Sequence, residues 1–413
     1  MSEEKDSDIG KNAPANFERS RFAVSTTRLL RDVNARQCLA VLRDKGPLSR
    51  AEIARVLGIT RATAGNAIRE LIASGLVTVS GETNGIAQVG RPGANLHLDP
   101  KGAFFIGVEV QKKLLTIQLF DFKLALCATR HVSVNLDLGR VHTIASKIAE
   151  TSLALIAEAG LPQEKIYGLG VSVPGIVSSA GQVIIPSVPK WEGVDLKALL
   201  SAQLPKYWLV KICNNAAAVA FSLCESLPEK DQHDFLFILL SQGVGSALVR
   251  HGKVEKGSHG FAGEIGHLIT NPRLSRRGKP FEILASYERF LPFLDPDKTP
   301  AAALQELAAQ PNYTKRLQTI LLDWADVLSA GLLNAIHMLD PGHIMLGGPT
   351  AVLYPKVESR VLATLHRSLL PGLEVPRIRL AGSSSSEVSG GAAAYIRQEL
   401  FRVPDWQSGG GFY

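Results

Sequence analysis

Cysteines, aromatic residues and long apolar runs are all scarce in this chain of 413 residues. The four cysteines, Cys38, Cys127, Cys213 and Cys224, are scattered with no CxxC pair. That spacing argues against a zinc site of paired thiols or a disulfide framework, and points to reduced, partly buried thiols. No uninterrupted apolar run reaches the roughly 18 to 20 residues that cross a bilayer. The opening MSEEKDSDIGKNAPANFERSR is polar and lacks the apolar core of a secretion signal. A cytoplasmic protein with no membrane segment is therefore expected. At 46% hydrophobic and 20% charged residues, the composition is that of a globular protein. The length exceeds one compact core and implies two or three domains.

Excess charge is also absent from most of the chain. The net charge is +7, yet residues 21–100 alone hold 11 Lys/Arg against 6 Asp/Glu. The other 333 residues hold 34 against 32. A local basic excess favours phosphate binding, because each neutralised phosphate releases counterions. A solvated basic surface would have the same composition.

The basic region contains SRAEIARVLGITRATAGNAIRELIASGLV, residues 49–77. Ser49 and Glu52 have the spacing of a capping box. Ile53, Val56 and Leu57 follow at helical spacing. Gly58 supplies a tight turn, where a left-handed backbone needs no Cβ. Thr60 can cap a second helix, with Ala64, Ala67, Ile68, Leu71 and Ile72 as its apolar stripe and Gly75 as its stop. The opposite face then carries Arg61, Ala62, Thr63, Gly65, Asn66 and Arg69. These side chains are short or hydrogen-bonding, as a helix in a DNA major groove requires. Arg61, Thr63 and Asn66 are the expected base readers. An ordinary α-helical hairpin has the same periodicity; the surrounding charge favours DNA.

Around this pair, residues 1–24 read as a disordered tail, with Arg19 and Arg21 near DNA. Residues 26–44 read as an amphipathic helix. After Gly75, LVTVS and ANLHLD read as strands flanking GETNGIAQVGRPG. Two strands with a basic tip after the second helix describe a wing, whose Arg91 is placed to enter a minor groove; a plain hairpin is the alternative. Asp99-Pro100 marks a boundary, giving a winged helix-turn-helix over 25–100.

From residue 103 the texture changes. AFFIGVEVQKKLLTIQLFD reads as two strands and a turn, 139–159 as a helix, and KIYGLGVSVPGIV as a buried strand entering a Gly/Pro turn. WLVKICNNAAAVAFSLCE is a strand passing into a helix, with Asn214 and Asn215 at the junction. DFLFILLSQGVGSALVRHGKV is a second strand pair, 314–338 a long helix, HIMLGGP a strand, and 391–400 a last helix. Two successive halves, each opening on strand–turn–strand, imply two α/β lobes with a cleft between them.

The landmarks GVSVPGIV at 170–177, the junction at 212–220, SQGVGSALV with EIGH at 241–267, LDPGHIMLGG at 339–348 and the terminal SGGAAAY stand in an order that resembles the ROK family (repressors, open reading frames and sugar kinases). The resemblance covers residues 103–400. It implies an α/β, actin-like and hexokinase-like two-lobed domain behind the winged helix, over 101–403, with 404–413 a flexible tail. It also implies that Asn214, Asn215, Glu264, His267 and Glu282 contact sugar hydroxyls, and carboxylates and amides suit that task. For each carboxylate a surface charge or an ion pair with Arg276 or Arg277 is the alternative; for His267 it is a core histidine. Trp191 is a candidate to stack on the sugar ring.

Three departures separate this chain from the family's kinases. Glu109-Val110-Gln111-Lys112-Lys113 stands where they carry DxGGT, so side chains replace the glycines that let amides approach phosphates. Asn215 replaces the Asp of their NDAN, and an amide cannot take a hydroxyl proton as a carboxylate does. Arg273, Ser275 and Pro280 stand at the cysteine positions of the family's zinc site, so no zinc is expected, and no cofactor. The resemblance therefore implies a sugar-responsive transcriptional regulator, in the sense of a repressor of carbohydrate uptake or catabolism genes. Its partners would be an operator in double-stranded DNA and a sugar or sugar-phosphate effector, and its state a homodimer or tetramer. The alternatives are an active sugar kinase carrying a DNA-binding domain and a regulator controlled by a protein partner.

Overall fold

The computed structural model describes residues 33–80, 95–136, 140–186, 191–228, 231, 233–271, 279–382 and 385–402. Chain contacts divide it into two units. One reaches to Gly102 and takes in Leu400–Tyr413; the other is Ala103–Glu399. The expected tails, 1–24 and 404–413, lie outside the described residues.

The first unit opens with helix α1, residues 33–45, which buries Cys38, Leu39 and Leu42. The remainder of the helix expected from 26 lies outside the described residues. Helix α2 (Arg50–Leu57) and helix α3 (Arg61–Ala73) follow. Val56, expected on the buried stripe, is 43% exposed; a helix of eight residues has a narrow inner face, and Ile53 and Ala54 occupy it. Strands β1 (Val77–Val79) and β2 (Leu96–Leu98) pair antiparallel. Leu48 exchanges both of its backbone hydrogen bonds with Leu96, which ties the loop before α2 to the same small sheet. The wing tip and Arg91, between β1 and β2, lie outside the described residues. Arg36 donates to the carbonyls of Leu400 and Arg402, and the Arg43 guanidinium stands 4.7 Å over the Phe401 ring.

The second unit holds two five-stranded sheets of the same design. In the first, strands β3 (Phe104–Val110), β4 (Leu114–Phe120), β5 (Leu126–Ser133), β6 (Ile166–Val173) and β9 (Leu209–Asn214) lie in the order β5-β4-β3-β6-β9. The short strands β7 (Gly175–Val177) and β8 (Val183–Pro186) pair beside it. Strands β10 (Phe235–Leu240), β11 (Val244–Arg250), β12 (Lys253–Val254), β13 (His343–Gly347) and β14 (Arg377–Leu380) form the second sheet, in the order β12-β11-β10-β13-β14. Each opens with an antiparallel meander and continues parallel. The fold is α/β, two-lobed, behind a helix-turn-helix, as expected.

One core packs Ile106, Val108, Leu169, Val171 and Ile148 of the first lobe; another packs Leu236, Ile238, Ile344, Leu346 and Trp324 of the second. Trp191 is a correction: it is 2% exposed and belongs to the first core, so it is no platform for a ring. The helix Lys315–Leu339 is long and apolar enough to cross a membrane, with mean hydropathy 1.4. Its Trp324, Leu328, Leu332 and Ile336 lie in the second lobe's core, and half of its apolar window is buried. The last helix runs Ser385–Phe401 rather than from 391. A Cβ on Gly107 would overlap the Ser389 carbonyl, and one on Gly170 the Ala392 carbonyl. These glycines let the helix backbone rest directly on β3 and β6.

Candidate functional site

Two sites were expected, one on helix α3 and one in the cleft. At the first, the local chemistry of the turn is fully used. Ser49 Oγ accepts from Glu52 N at 3.3 Å, and Ser49 N donates to Glu52 Oε2 at 2.8 Å. Those bonds hold the Glu52 carboxyl below its usual range. Gly58 is left-handed at φ 65°, and Thr60 Oγ1 accepts from Thr63 N at 3.1 Å. At the other end, Leu76 N donates to Leu71 O and Gly75 N to Ile72 O, with Gly75 at φ 74°. That pair of bonds is a Schellman stop. Arg61, Ala62, Asn66 and Arg69 are exposed and Thr63 is half-buried. Arg69 Nη1 donates to Asn66 Oδ1 at 3.2 Å, which orients the amide so that its NH₂ group points away from that bond.

The cleft site is built from strand ends. Asn214 closes β9 and caps helix α4 (Asn215–Ser226), its Oδ1 accepting from Ala217 N at 2.7 Å. Its Nδ2 donates to Glu264 Oε1 at 3.4 Å. Asn215 Oδ1 accepts from Ser172 Oγ at 2.6 Å; Ser172 itself is buried on β6. Glu264 precedes the 3₁₀ turn Ile265–His267. Its carboxyl is pushed up to about 7, by burial first and by the Glu282 carboxylate second. Glu282 stands in the short helix Phe281–Ala285, beside the Gly243 and Gly266 backbone. His267 is exposed, which excludes the core-histidine alternative. The fold thus gathers Asn214, Asn215, Glu264 and Glu282 at one cleft, with His267 in the turn that Glu264 begins.

The hairpin where a kinase of the ROK family would cradle phosphates is closed by side-chain residues. Gln111 N donates to Leu114 O at 2.9 Å, and the Lys112 and Lys113 carbonyls accept from Leu136 N and Val134 N. Gln111 Nε2 donates to Glu109 Oε1 at 2.9 Å. Glu109 is 5% exposed, and its Oε2 has no hydrogen-bond partner among the described residues. Of the three residues at the zinc-cysteine positions, Arg273 and Ser275 lie outside the described residues, and Pro280 caps the helix at Phe281 without a donor side chain. The residues do not fit a zinc ion.

Ser172 was not anticipated, although period-2 alternation along GVSV puts it on the face of Gly170. The segment 255–263 was missed as well. Its signal was the repeat Gly257, Gly260, Gly263, all three at positive φ.

Comparison with known proteins covers both parts of the chain. The ROK family model matches residues 106–399, and the MarR family model matches residues 32–85. A Caldicellulosiruptor sp. (strain Rt8B.4) protein named "Putative xylose repressor" is 29% identical over 253 residues, 58% of this chain and 59% of its own length. The xylose repressor of Bacillus subtilis (strain 168) is 23% identical over 375 residues, covering 84% of this chain and 93% of its own. An N-acetyl-D-glucosamine kinase of Salmonella arizonae is 25% identical over 307 residues, 70% of this chain and 98% of its own. Among solved structures, a ROK family transcriptional regulator, a homolog of the E. coli MLC protein, superposes with a TM-score of 0.73 at 19% identity, covering 90% of this chain and 97% of that one.

Proposed function

The chain belongs to the ROK family, and on that premise we propose that it is a sugar-responsive DNA-binding regulator of transcription, a cytoplasmic repressor of carbohydrate uptake or catabolism genes. The observation that carries this reading is a pairing within one chain. A capped helix-turn-helix with an exposed Arg61, Asn66 and Arg69 face precedes a ROK domain that keeps a polar cleft but not a glycine turn.

In this reading Arg61, Thr63 and Asn66 meet base edges, Arg69 orients Asn66, and Ala62 lets the helix approach closely. Arg91 enters the minor groove beside them. Asn214, Asn215, Glu264, His267 and Glu282 hold sugar hydroxyls. Phosphotransfer is lost, because Asn215 cannot act as base and the side chains of Gln111, Lys112 and Lys113 stand where a phosphate-cradling turn needs glycines. The sugar acts by binding one arrangement of the lobes more tightly than another, since equal affinity for both shifts nothing. Two copies of the chain bring two α3 helices to two half-sites one or more helical turns apart.

The test is a footprint on the DNA upstream of the protein's own gene, at fixed salt. It is run without ligand and with xylose, hexoses, N-acetylated hexosamines and sugar phosphates. A palindromic footprint abolished or strengthened by one sugar supports the reading. A footprint indifferent to all of them removes the carbohydrate half, and none at all removes both.

A further inference from the structure

One side chain sets the direction of the Asn215 amide. Ser172 Oγ, buried on β6, stands 2.6 Å from Asn215 Oδ1. That separation suits a hydroxyl donating to an oxygen and is shorter than an amide N–H···O bond. The amide therefore turns its oxygen to Ser172 and its NH₂ group away. Among the described residues Asn215 Nδ2 has no partner, and Asn215 is half-buried, so both N–H donors are left for a ligand.

Glu109 lies beside that pair. Glu109 of β3 and Ser172 of β6 are neighbours in register, so their side chains leave the same face of the sheet. Gln111 Nε2 bonds Glu109 Oε1, while Oε2 is buried without a partner among the described residues. Those residues include no ion pair to Glu109 either. A carboxylate buried without a counter-charge acts strongly on any charge that enters nearby, because little water screens it.

The groups around them do not favour an anion. Lys112 and Lys113 are exposed on the hairpin. The Lys256 ammonium bonds the Tyr395 hydroxyl and stands 4.4 Å over its ring. The N-terminus of helix α4 would attract a phosphate, but Asn214 Oδ1 already accepts from Ala217 N there, at 2.7 Å. Glu264 and Glu282 add two carboxyl groups at the same cleft. A sugar hydroxyl can accept from Asn215 Nδ2 and brings no charge. Its phosphate ester brings about two negative charges beside Glu109.

Building on the sugar-responsive reading above, we propose that Ser172 and Glu109 make this site a reader of one free hydroxyl. Ser172 is the positioning residue that aims the Asn215 amide at the hydroxyl, and Glu109 is the charge that turns its phosphate ester away. A phosphotransferase acting on that hydroxyl then removes the signal: the protein senses the substrate of such a reaction and not its product.

Calorimetric titration of the full-length protein tests this, with xylose, glucose and N-acetylglucosamine and the monodeoxy and monophosphate derivatives of each as probes. For a sugar that binds, removal of one hydroxyl is expected to weaken binding about tenfold, the worth of one hydrogen bond. A phosphate at the same carbon is expected to weaken it about a hundredfold or more, from the added repulsion. Ser172→Ala is expected to bring the sugar and that deoxy derivative to one affinity, where a merely structural defect would weaken both alike; Asn215→Ala is read in its stead if the first variant does not fold. Glu109→Gln, which keeps the shape and removes the charge, is expected to narrow the gap between sugar and phosphate about tenfold or more. A phosphate at that carbon that binds as tightly as the sugar, or either gap left unchanged in its variant, overturns the proposal alone. Absence of binding by every probe overturns the carbohydrate reading and the proposal with it.

Discussion

Asn214 and Glu264 meet across the cleft, the amide donating to Glu264 Oε1 at 3.4 Å. One closes a strand of the first lobe and the other opens a turn of the second. The bond is long, so it constrains the lobes weakly, and a ligand hydroxyl inserted between the two groups would gain two partners. Asn214→Ala is expected to weaken sugar binding by about tenfold or more, from the roughly 1.5–3 kcal/mol of a hydrogen bond involving a charged group. Operator binding without sugar should persist. Titration calorimetry and gel shift on the same preparation separate the two effects.

Glu264 gives the protein a pH dependence. Its carboxyl is raised on folding from 4.5 to about 7, so the folded state holds a proton that the unfolded state releases between those values. Stability from this group is present at low pH and is lost as pH rises through that window. Glu264→Gln is expected to flatten the decline in Tm between pH 5 and pH 8, by calorimetry. An unchanged slope would locate the titration elsewhere.

Arg61→Ala is expected to cost about 1–3 kcal/mol in operator affinity, the worth of a bidentate contact to guanine, with affinity for unrelated DNA nearly unchanged. Gel shift at one salt concentration reads both. Equal loss on the two DNAs would make Arg61 a phosphate contact instead.

Asn215→Asp restores a carboxylate to the position of the kinase base, worth roughly 10²- to 10⁴-fold where the rest of a site exists. ATP consumption in the presence of hexoses is nonetheless expected to stay at background, because Gln111 and Lys112 still close the hairpin. Measurable sugar phosphate from this variant would show that the phosphate site survives.

Gly391→Ala places a Cβ into the Ala218 carbonyl. The contact is backbone against backbone and neither helix can yield locally. Overpacking of this kind costs about 1–3 kcal/mol or more, read as a lower denaturant midpoint at unchanged slope.

The parts legible in the sequence were those with a local physical signature. Ser49, Gly58, Thr60 and Gly75 announce caps and turns through their own chemistry, and the β3, β6 and β10 strands through continuous apolar runs. Strand β5 was not foreseen because it lies at a sheet edge with most residues exposed, so nothing selects an alternating pattern. The last helix was expected too late, since SSSSEVSGG reads as loop; tertiary packing on Gly107 and Gly170 outweighs its weak helix preference. Trp191 was misplaced because an aromatic near a cleft and an aromatic in a core look alike in one dimension. The candidate sugar contacts rest on family resemblance, while Ser172 and segment 255–263 emerge only when the two lobes are brought together.

The last helix also sets an order of events during synthesis. By residue 214 the ribosome has delivered every strand of the first sheet. The face of that sheet carrying Gly107 and Gly170 is covered by residues 389–392, which are made about 175 residues later. At about 5–20 residues per second, the nascent first lobe waits on the order of ten seconds or more with one side bare, until the helix Ser385–Phe401 arrives to cover it.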